Sequence, residues 1–353
     1  MRILFLSSGP QVPSSRFRIL PFARLLEQDG HRCTVAHSFP QKYDYFPWMG
    51  FRPSQLLKRS VRWWHWLRTK LTRYDIVYID REIFDDPAHE TELRFRESCR
   101  RMVVDFDDAV FLRYPDKFEH LVRQADLVVC GNRFLEERVT DVTDVTDAES
   151  RTLIIPTCVD MDRYQQRPPM TEAGVPVVGW MGTSGNLQYL SQAAEAICRV
   201  AADIDFRLLL VVPDTSALKA MNLSGVAIDH EQWSEHTEIA QLHGMDIGLM
   251  PLRSGEDWAR YKCGAKLLQY LAVGTPGIAS PVGVNGDIIG DNQHGFCADN
   301  VEEWEAALRA LLGDHELRQQ MGTAGRSFVK QNYSVQSQYP ILRDALTRLT
   351  MED

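Results

Sequence analysis

The sequence predicts an α/β protein of two domains, each a doubly wound parallel sheet covered by helices. Short, continuously apolar runs alternate with helix-period segments along the whole chain, as strands buried on both faces require. The alternation restarts after a proline-framed segment of little periodicity, 156–170. At 353 residues the chain also exceeds the size, about 250–300 residues, at which single cores stop growing.

Composition narrows the class. An apolar content of 44% with 25% charged residues is that of an ordinary soluble enzyme. A net charge of −9 argues against a general nucleic-acid binder, so no nucleic-acid partner is expected. The seven cysteines, an odd number without a CxxC pair, form neither a disulfide framework nor a zinc signature and fit a reducing cytoplasm. MRILFLSSG reads as a strand and turn rather than a signal peptide, and no run of about 18 apolar residues would span a membrane.

In the first half, residues 2–7 are a strand ended by Gly9-Pro10, with Ser14 or Ser15 capping the next helix. Its apolar side is Ile19, Leu20, Phe22, Ala23, Leu25 and Leu26, and residues 33–36 form the strand that follows. Ligands of such sheets sit at the carboxyl ends of strands. Arg16 and Arg18 stand at that end, either as a surface edge or facing an anionic ligand. Further strands are expected at 75–80, 102–104, 126–130 and 153–155, and 141–150 reads as a loop rich in Asp and Thr.

Between these lies a basic, aromatic stretch. Lys58, Arg59, Arg62, Arg68, Lys70 and Arg73 interleave with Trp63, Trp64 and Trp66, without an acid. Leu56, Leu57, Val61, Trp64, Leu67 and Leu71 recur at helical spacing. Two readings stay open: an amphipathic helix whose apolar face completes the domain, or peripheral contact of 56–74 with an anionic membrane or a lipid-borne acceptor.

The strand at 102–104 runs into Asp105, Asp107 and Asp108. Acids there can bind a metal or favour a helix start. Alternate residues of an extended segment face opposite ways, so they cannot all share one site, and Asp107 is assigned to it.

The second half opens with a strand at 175–180 and the turn Met181-Gly182-Thr183-Ser184-Gly185-Asn186, whose amides suit phosphate oxygens. Strands are expected at 206–212, 226–229 and 246–252, with His230-Glu231-Gln232-Trp233 after the second. The stretch 256–284 carries most of the chemistry. From about Lys262 it reads as a helix with Leu267, Leu268, Leu271 and Ala272 inward, stopped by Gly274 and Pro276 before a short strand, 277–280. Arg260, Lys262 and Lys266 gather at its start, where the helix's own positive end disfavours cations. A phosphate docked there would account for them. After Phe296 the chain turns helical to its end.

Several pieces, in order, resemble the retaining family 4-like (group 1) glycosyltransferases of GT-B fold and cover nearly the whole chain. They are SSRFR (14–18), DFDDAVF (105–111), GNRFL (131–135), IPTCVDMDRY (155–164) and MGTSGN (181–186), then DIGLMPL (246–252), KCGAKLLQYLAVGTP (262–276), SPVGVN (280–285) and GFCADNVEEW (295–304). The resemblance implies an acceptor-side domain over 1–165, a nucleotide-sugar domain over 166–333 and a final helix, 334–353, packing towards the first. It implies a nucleoside diphosphate sugar as donor, and a glycan, lipid-linked or small-molecule acceptor. No cofactor is expected. The location implied is cytoplasmic, at or near the inner membrane face.

Aligned with the family's Glu-x7-Glu motif, this chain has Tyr261 and Gln269 where acids are usual. Gln269 keeps an acceptor oxygen for ribose hydroxyls, while Glu256 or Asp257 substitutes for the acid at 261 that contacts the transferred sugar. Arg260, Lys262 and Lys266 replace the usual diphosphate cations, helped by Gly182, Thr183 and Ser184. Trp233 falls where relatives hold the base, Arg16 and Arg18 on the loop nearing phosphate and acceptor, and Asp107 near a residue facing the sugar. With Lys262 and Lys266 stabilising the leaving diphosphate, no obligatory metal is expected. Two other readings remain: a nucleotide-sugar 2-epimerase on the same fold, and a non-catalytic sugar-nucleotide or glycan-binding protein, suggested by the missing acids. Neither half shows a full GxGxxG with a following acid, which disfavours a dinucleotide oxidoreductase.

Overall fold

The computed structural model describes residues 1–143, 151–168 and 174–351. Most of the loop expected at 141–150, part of the proline-framed segment and the last two residues of the expected final helix lie outside them. The chain forms two units, 1–158 with 335–353, and 159–334. The first division thus falls ahead of the expected 165, because Val159 bridges to Ser334 and Arg163 and Tyr164 bond to Glu238 of the second unit.

The first unit is a six-stranded parallel sheet. Its strands are β1 (Arg2–Ser7), β2 (Arg32–His37), β3 (Ile76–Asp80), β4 (Arg101–Phe106), β5 (Leu127–Cys130) and β6 (Thr152–Ile154). Their order is β2-β1-β3-β4-β5-β6, so the chain reverses direction across the sheet between β1 and β3. Ile3, Phe5, Ile76, Tyr78 and Val103 meet Phe22 and Leu26 of helix Leu20–Gln28 in one core. Helix Val335–Met351 adds Val335, Leu342, Leu346 and Leu349 to that same core.

The second unit repeats the plan with β7 (Val177–Met181), β8 (Arg207–Val211), β9 (Ala227–Glu231), β10 (Ile247–Met250), β11 (Gly277–Ala279) and β12 (Gly295–Cys297). All pairings are parallel in the order β12-β11-β10-β7-β8-β9, with the reversal between β7 and β10. Strand β12 was not expected. Its three residues, Gly-Phe-Cys, are too short to show a period, and pairing with β11 defines it.

Helix Phe51–Leu71 corrects the expectation that its apolar stripe completes the domain. Its buried residues are Ser54, Lys58, Arg62 and Thr69, while Leu56, Trp63, Trp64 and Leu71 are more than half exposed. Arg62 donates to the Ser7 and Ala36 carbonyls, at 2.6 and 2.8 Å, and Lys58 to the Lys42 carbonyl at 2.7 Å. A carbonyl oxygen has two lone pairs, so these long side chains can donate even to one already bonded, as at Ser7, whose carbonyl also accepts from the Ser38 amide.

Candidate donor site and acid pairs

The site in the second unit lies where the strand order reverses, at the carboxyl ends of β7 and β10, as ligand sites of open α/β sheets do. After β10 come a short helix, Asp257–Arg260, and helix Ala265–Val273. The longer helix therefore starts at Ala265 rather than near Lys262. Lys262 lies in the connecting loop and Lys266 in the first helical turn.

Tyr270, one turn on from Lys266, docks this helix on the sheet. Its hydroxyl accepts from the Met181 amide at 3.0 Å, and its ring packs against Gly248 of β10, where an added Cβ would stand 2.3 Å from the ring. This brings Lys266 over the end of β7. At Gly182 an added Cβ would meet the Trp180 ring at 2.6 Å and Lys266 Cε at 2.7 Å, so residue 182 must lack a side chain for the lysine to cross. Among the described residues neither Lys262 nor Lys266 has an acidic or hydrogen-bonding partner. Each ammonium lies over an aromatic ring instead, Lys262 5.8 Å from Tyr189 and Lys266 5.7 Å from Trp180. Burial, and then repulsion from Lys262, pull the Lys266 ammonium down to about 7. Two half-buried cations without counter-charge make a site for an anion.

The turn after β7 contributes less than expected. The Gly182 amide already donates to the Val211 carbonyl at 3.0 Å, leaving Gly182 a steric role. Thr183 is exposed, and Ser184 starts a short helical segment, Ser184–Leu190. Arg260 is exposed at the end of its short helix, and Tyr261 is half-buried after it.

Of the two acids offered as substitutes at the sugar end, Asp257 is exposed. Glu256 is half-buried: Oε1 accepts from the Tyr189 hydroxyl at 3.0 Å, while Oε2 is buried without a hydrogen-bond partner among the described residues. A buried carboxylate oxygen left open is costly unless a ligand donates to it. Gln269 is buried, with its amide nitrogen bonded to Glu238 Oε1 and the Tyr164 hydroxyl, and half-buried Trp233 donates to Glu238 at 3.3 Å. Glu238 had not been singled out from sequence. It opens a six-residue helix, Glu238–His243, with little periodicity, and its partners come from distant segments.

In the first unit, β3 and β4 end side by side, so that Arg81 forms an ion pair with Asp107 and stands 3.6 Å from Asp108. Burial pushes the Asp107 carboxyl up, but Arg81 outweighs it and holds the group below the usual range. Arg81 also reaches the Tyr43 hydroxyl at 3.3 Å, on the wall of a cavity of about 650 Å³ that His37, Phe39 and Phe46 share. Asp105 is structural: buried, it takes Arg18 at 2.7 Å and the Tyr78 hydroxyl at 2.7 Å. Burial pushes its carboxyl up to about 6 against the pull of Arg18. Arg18 is therefore consumed inside the domain and does not face a phosphate, a correction to its expected role. Arg16 is half-buried with its guanidinium over the Phe17 ring. Among the described residues no group of three or more His, Cys, Asp or Glu is placed to hold a metal ion.

Comparison with known proteins gives the site a context. Residues 175–314 match the profile of the family described as glycosyl transferases group 1. No curated protein matches the sequence. Similar solved structures include a glycosyltransferase from Rickettsia africae, 14% identical over 100% of this chain and 99% of that one, with a TM-score of 0.72. Anabaena HepE in complex with UDP and glucose is 14% identical over 98% and 99%, TM-score 0.68. Sucrose-phosphate synthase from Thermosynechococcus elongatus is 12% identical over 100% of both chains, TM-score 0.71. The second unit of this chain is thus a group 1 glycosyltransferase domain, in a chain of GT-B fold.

Proposed function

We propose that the protein transfers a sugar, most simply a hexose, from a nucleoside diphosphate sugar to an acceptor hydroxyl with retention, as a family 4 member. The observation that carries the reading is the uncompensated pair Lys262 and Lys266 at the β7–β10 reversal, inside the segment that matches the group 1 profile. Cleavage of the anomeric bond moves negative charge onto the leaving diphosphate. Two poorly solvated ammoniums stabilise that charge more as it grows than in the bound donor. They supply the positive charge a metal would bring, so activity is expected without one.

Glu256 takes the sugar-contacting role of the acid absent at 261, with its open Oε2 accepting from a sugar hydroxyl. Trp233 and Gln269 belong to the nucleoside end. Asp107, paired with Arg81, and the cavity beside Tyr43 form the acceptor side, where aromatic walls suit a sugar face. These carboxylates favour catalysis over passive binding.

The first unit also carries a membrane-facing surface in this reading. Phe51, Leu56, Trp63, Trp64 and Leu71 point outward with Arg52, Arg68, Lys70 and Arg73, and no acid occurs between Asp44 and Asp75. Aromatic side chains among charges of one sign match an anionic lipid interface. Among the described residues no helix is long and apolar enough to cross a membrane. The protein would work from the cytoplasmic face, on a glycan, small-molecule or lipid-linked acceptor.

A thermal-shift panel of nucleotides and nucleotide sugars, with and without EDTA, tests the donor reading. UDP and its sugars come first, since HepE binds UDP. Stabilisation by one nucleotide sugar, unaffected by EDTA, is expected. No shift with any of them would remove the reading.

A further inference from the structure

The acid that the sequence lacks at position 269 stands beside it in space. Gln269 Nε2 donates to Glu238 Oε1 at 2.9 Å and to the Tyr164 hydroxyl at 3.0 Å. Glu238, 1% exposed, is held from the other side as well. Trp233 Nε1 donates to its Oε1 at 3.3 Å, and the Tyr164 hydroxyl and Arg163 donate to its Oε2 at 3.1 and 3.3 Å. Arg163 and Tyr164 end the IPTCVDMDRY segment, just inside the second unit, which begins at Val159.

A carboxylate only accepts, so it decides which end of the neighbouring amide faces it. Turning the Gln269 amide over would set oxygen against oxygen at both Glu238 and its partner network. The nitrogen is therefore fixed inward. The amide oxygen makes no hydrogen bond among the described residues, and it is left to accept from something outside the protein.

We propose that Glu238 is a positioning residue for the donor nucleotide: it locks the Gln269 amide so that the carbonyl oxygen accepts from a ribose hydroxyl. The inference rests on the nucleotide-sugar reading of this site and deepens it. It also accounts for glutamine at 269. A glutamate there would press a second carboxylate against Glu238 in a buried site, where like charges this close cannot both ionise without large cost. The charge has moved to a neighbouring helix, and the hydroxyl-accepting oxygen has stayed.

The test is a reciprocal exchange. The wild-type protein is titrated calorimetrically with UDP, GDP, ADP and CDP, and the tightest ligand is compared with its 2′-deoxy form. Glu238→Gln should weaken the ribonucleotide by up to about tenfold and narrow the ribo-to-deoxy ratio, as expected for one misdirected hydrogen bond. Gln269→Glu should weaken it at least as much. The double variant Glu238→Gln/Gln269→Glu, which restores one acid and one amide, should recover most of the lost affinity. Additive losses in the double variant overturn the inference, as does a Glu238→Gln protein that is less heat-stable but keeps the wild-type ratio. If Glu238→Gln does not fold, Tyr164→Phe must narrow the same ratio, and an unchanged ratio overturns the idea equally. If no nucleotide binds the wild type, the donor reading falls and this inference with it. If one binds and the exchange fails to restore it, only this inference falls.

Discussion

The ammonium of Lys266 stands 5.7 Å from the centre of the Trp180 ring, and its stem crosses the space that a side chain at residue 182 would fill. An aromatic face holds the cation without neutralising it, so its charge stays available to a ligand. Lys266→Ala is expected to lower turnover by about 10²–10³, the usual cost of one charge-stabilising donor. Its melting temperature should not fall below that of the wild type, since no ion pair is lost and the cost of burying the ammonium is removed. Steady-state kinetics with the stabilising nucleotide sugar, alongside a melting curve, checks both halves.

The same lysine sets a pH dependence. With the free ammonium at about 7, a bound diphosphate raises its proton affinity, and binding above that pH takes up a proton. Affinity for a nucleotide sugar, whose diphosphate has no proton to gain in this range, should be flat below pH 7 and fall above it, by at most about tenfold per pH unit for one proton. For folding the sign is opposite to that of a paired lysine. The unfolded lysine keeps its proton to about pH 10.4, so the unfolded chain binds more protons between the two values. The cost of burying Lys266 is full at and below pH 7 and eases as pH rises towards 10. Titrations at several pH values, repeated with Lys266→Arg, should show the slope vanish in the arginine variant.

Glu256 should act on the sugar and not on the nucleotide. Glu256→Gln keeps the size and the Tyr189 contact but gives the open position an amide. The donor KM is expected to rise or kcat to fall by about tenfold, on the scale of one lost charge-assisted hydrogen bond, with UDP affinity unchanged. Equal loss of UDP and UDP-sugar binding would place Glu256 elsewhere in the site.

The outward tryptophans are expected to govern membrane contact. Vesicles containing about a third phosphatidylglycerol should sediment the wild-type protein, and neutral phosphatidylcholine vesicles should not. Trp63→Ser/Trp64→Ser should abolish sedimentation at moderate salt without altering turnover of a water-soluble acceptor. Retention of the double variant on anionic vesicles would show that this face does not dock.

Most strands were legible because their two buried faces leave unbroken apolar runs: Arg2–Ser7 and Ile76–Asp80 show themselves in sequence. Gly295–Cys297 did not, since so short a strand is specified by its neighbour. The cation cluster at 262 and 266 was legible because charge at a helix start breaks a local rule. The rest of the site depends on pairings that spacing does not encode. Asp105 swallows Arg18 from 87 residues away, and Glu238 meets Gln269 across 31. The basic and aromatic helix stayed open between two readings for the opposite reason. Its period was clear, but period alone says that two faces differ, not which one turns inward.

Helix Phe51–Leu71 is seated by arginine and lysine bonds to named carbonyls rather than by greasy packing. Apolar contacts tolerate sliding and rolling, whereas a guanidinium seated on two oxygens fits one rotation and one height. The helix is therefore keyed to the sheet, and its tryptophans are presented at a fixed angle and depth. A surface held that way can set how the enzyme is oriented on whatever it rests against, and with it the distance from that surface to the reacting hydroxyl.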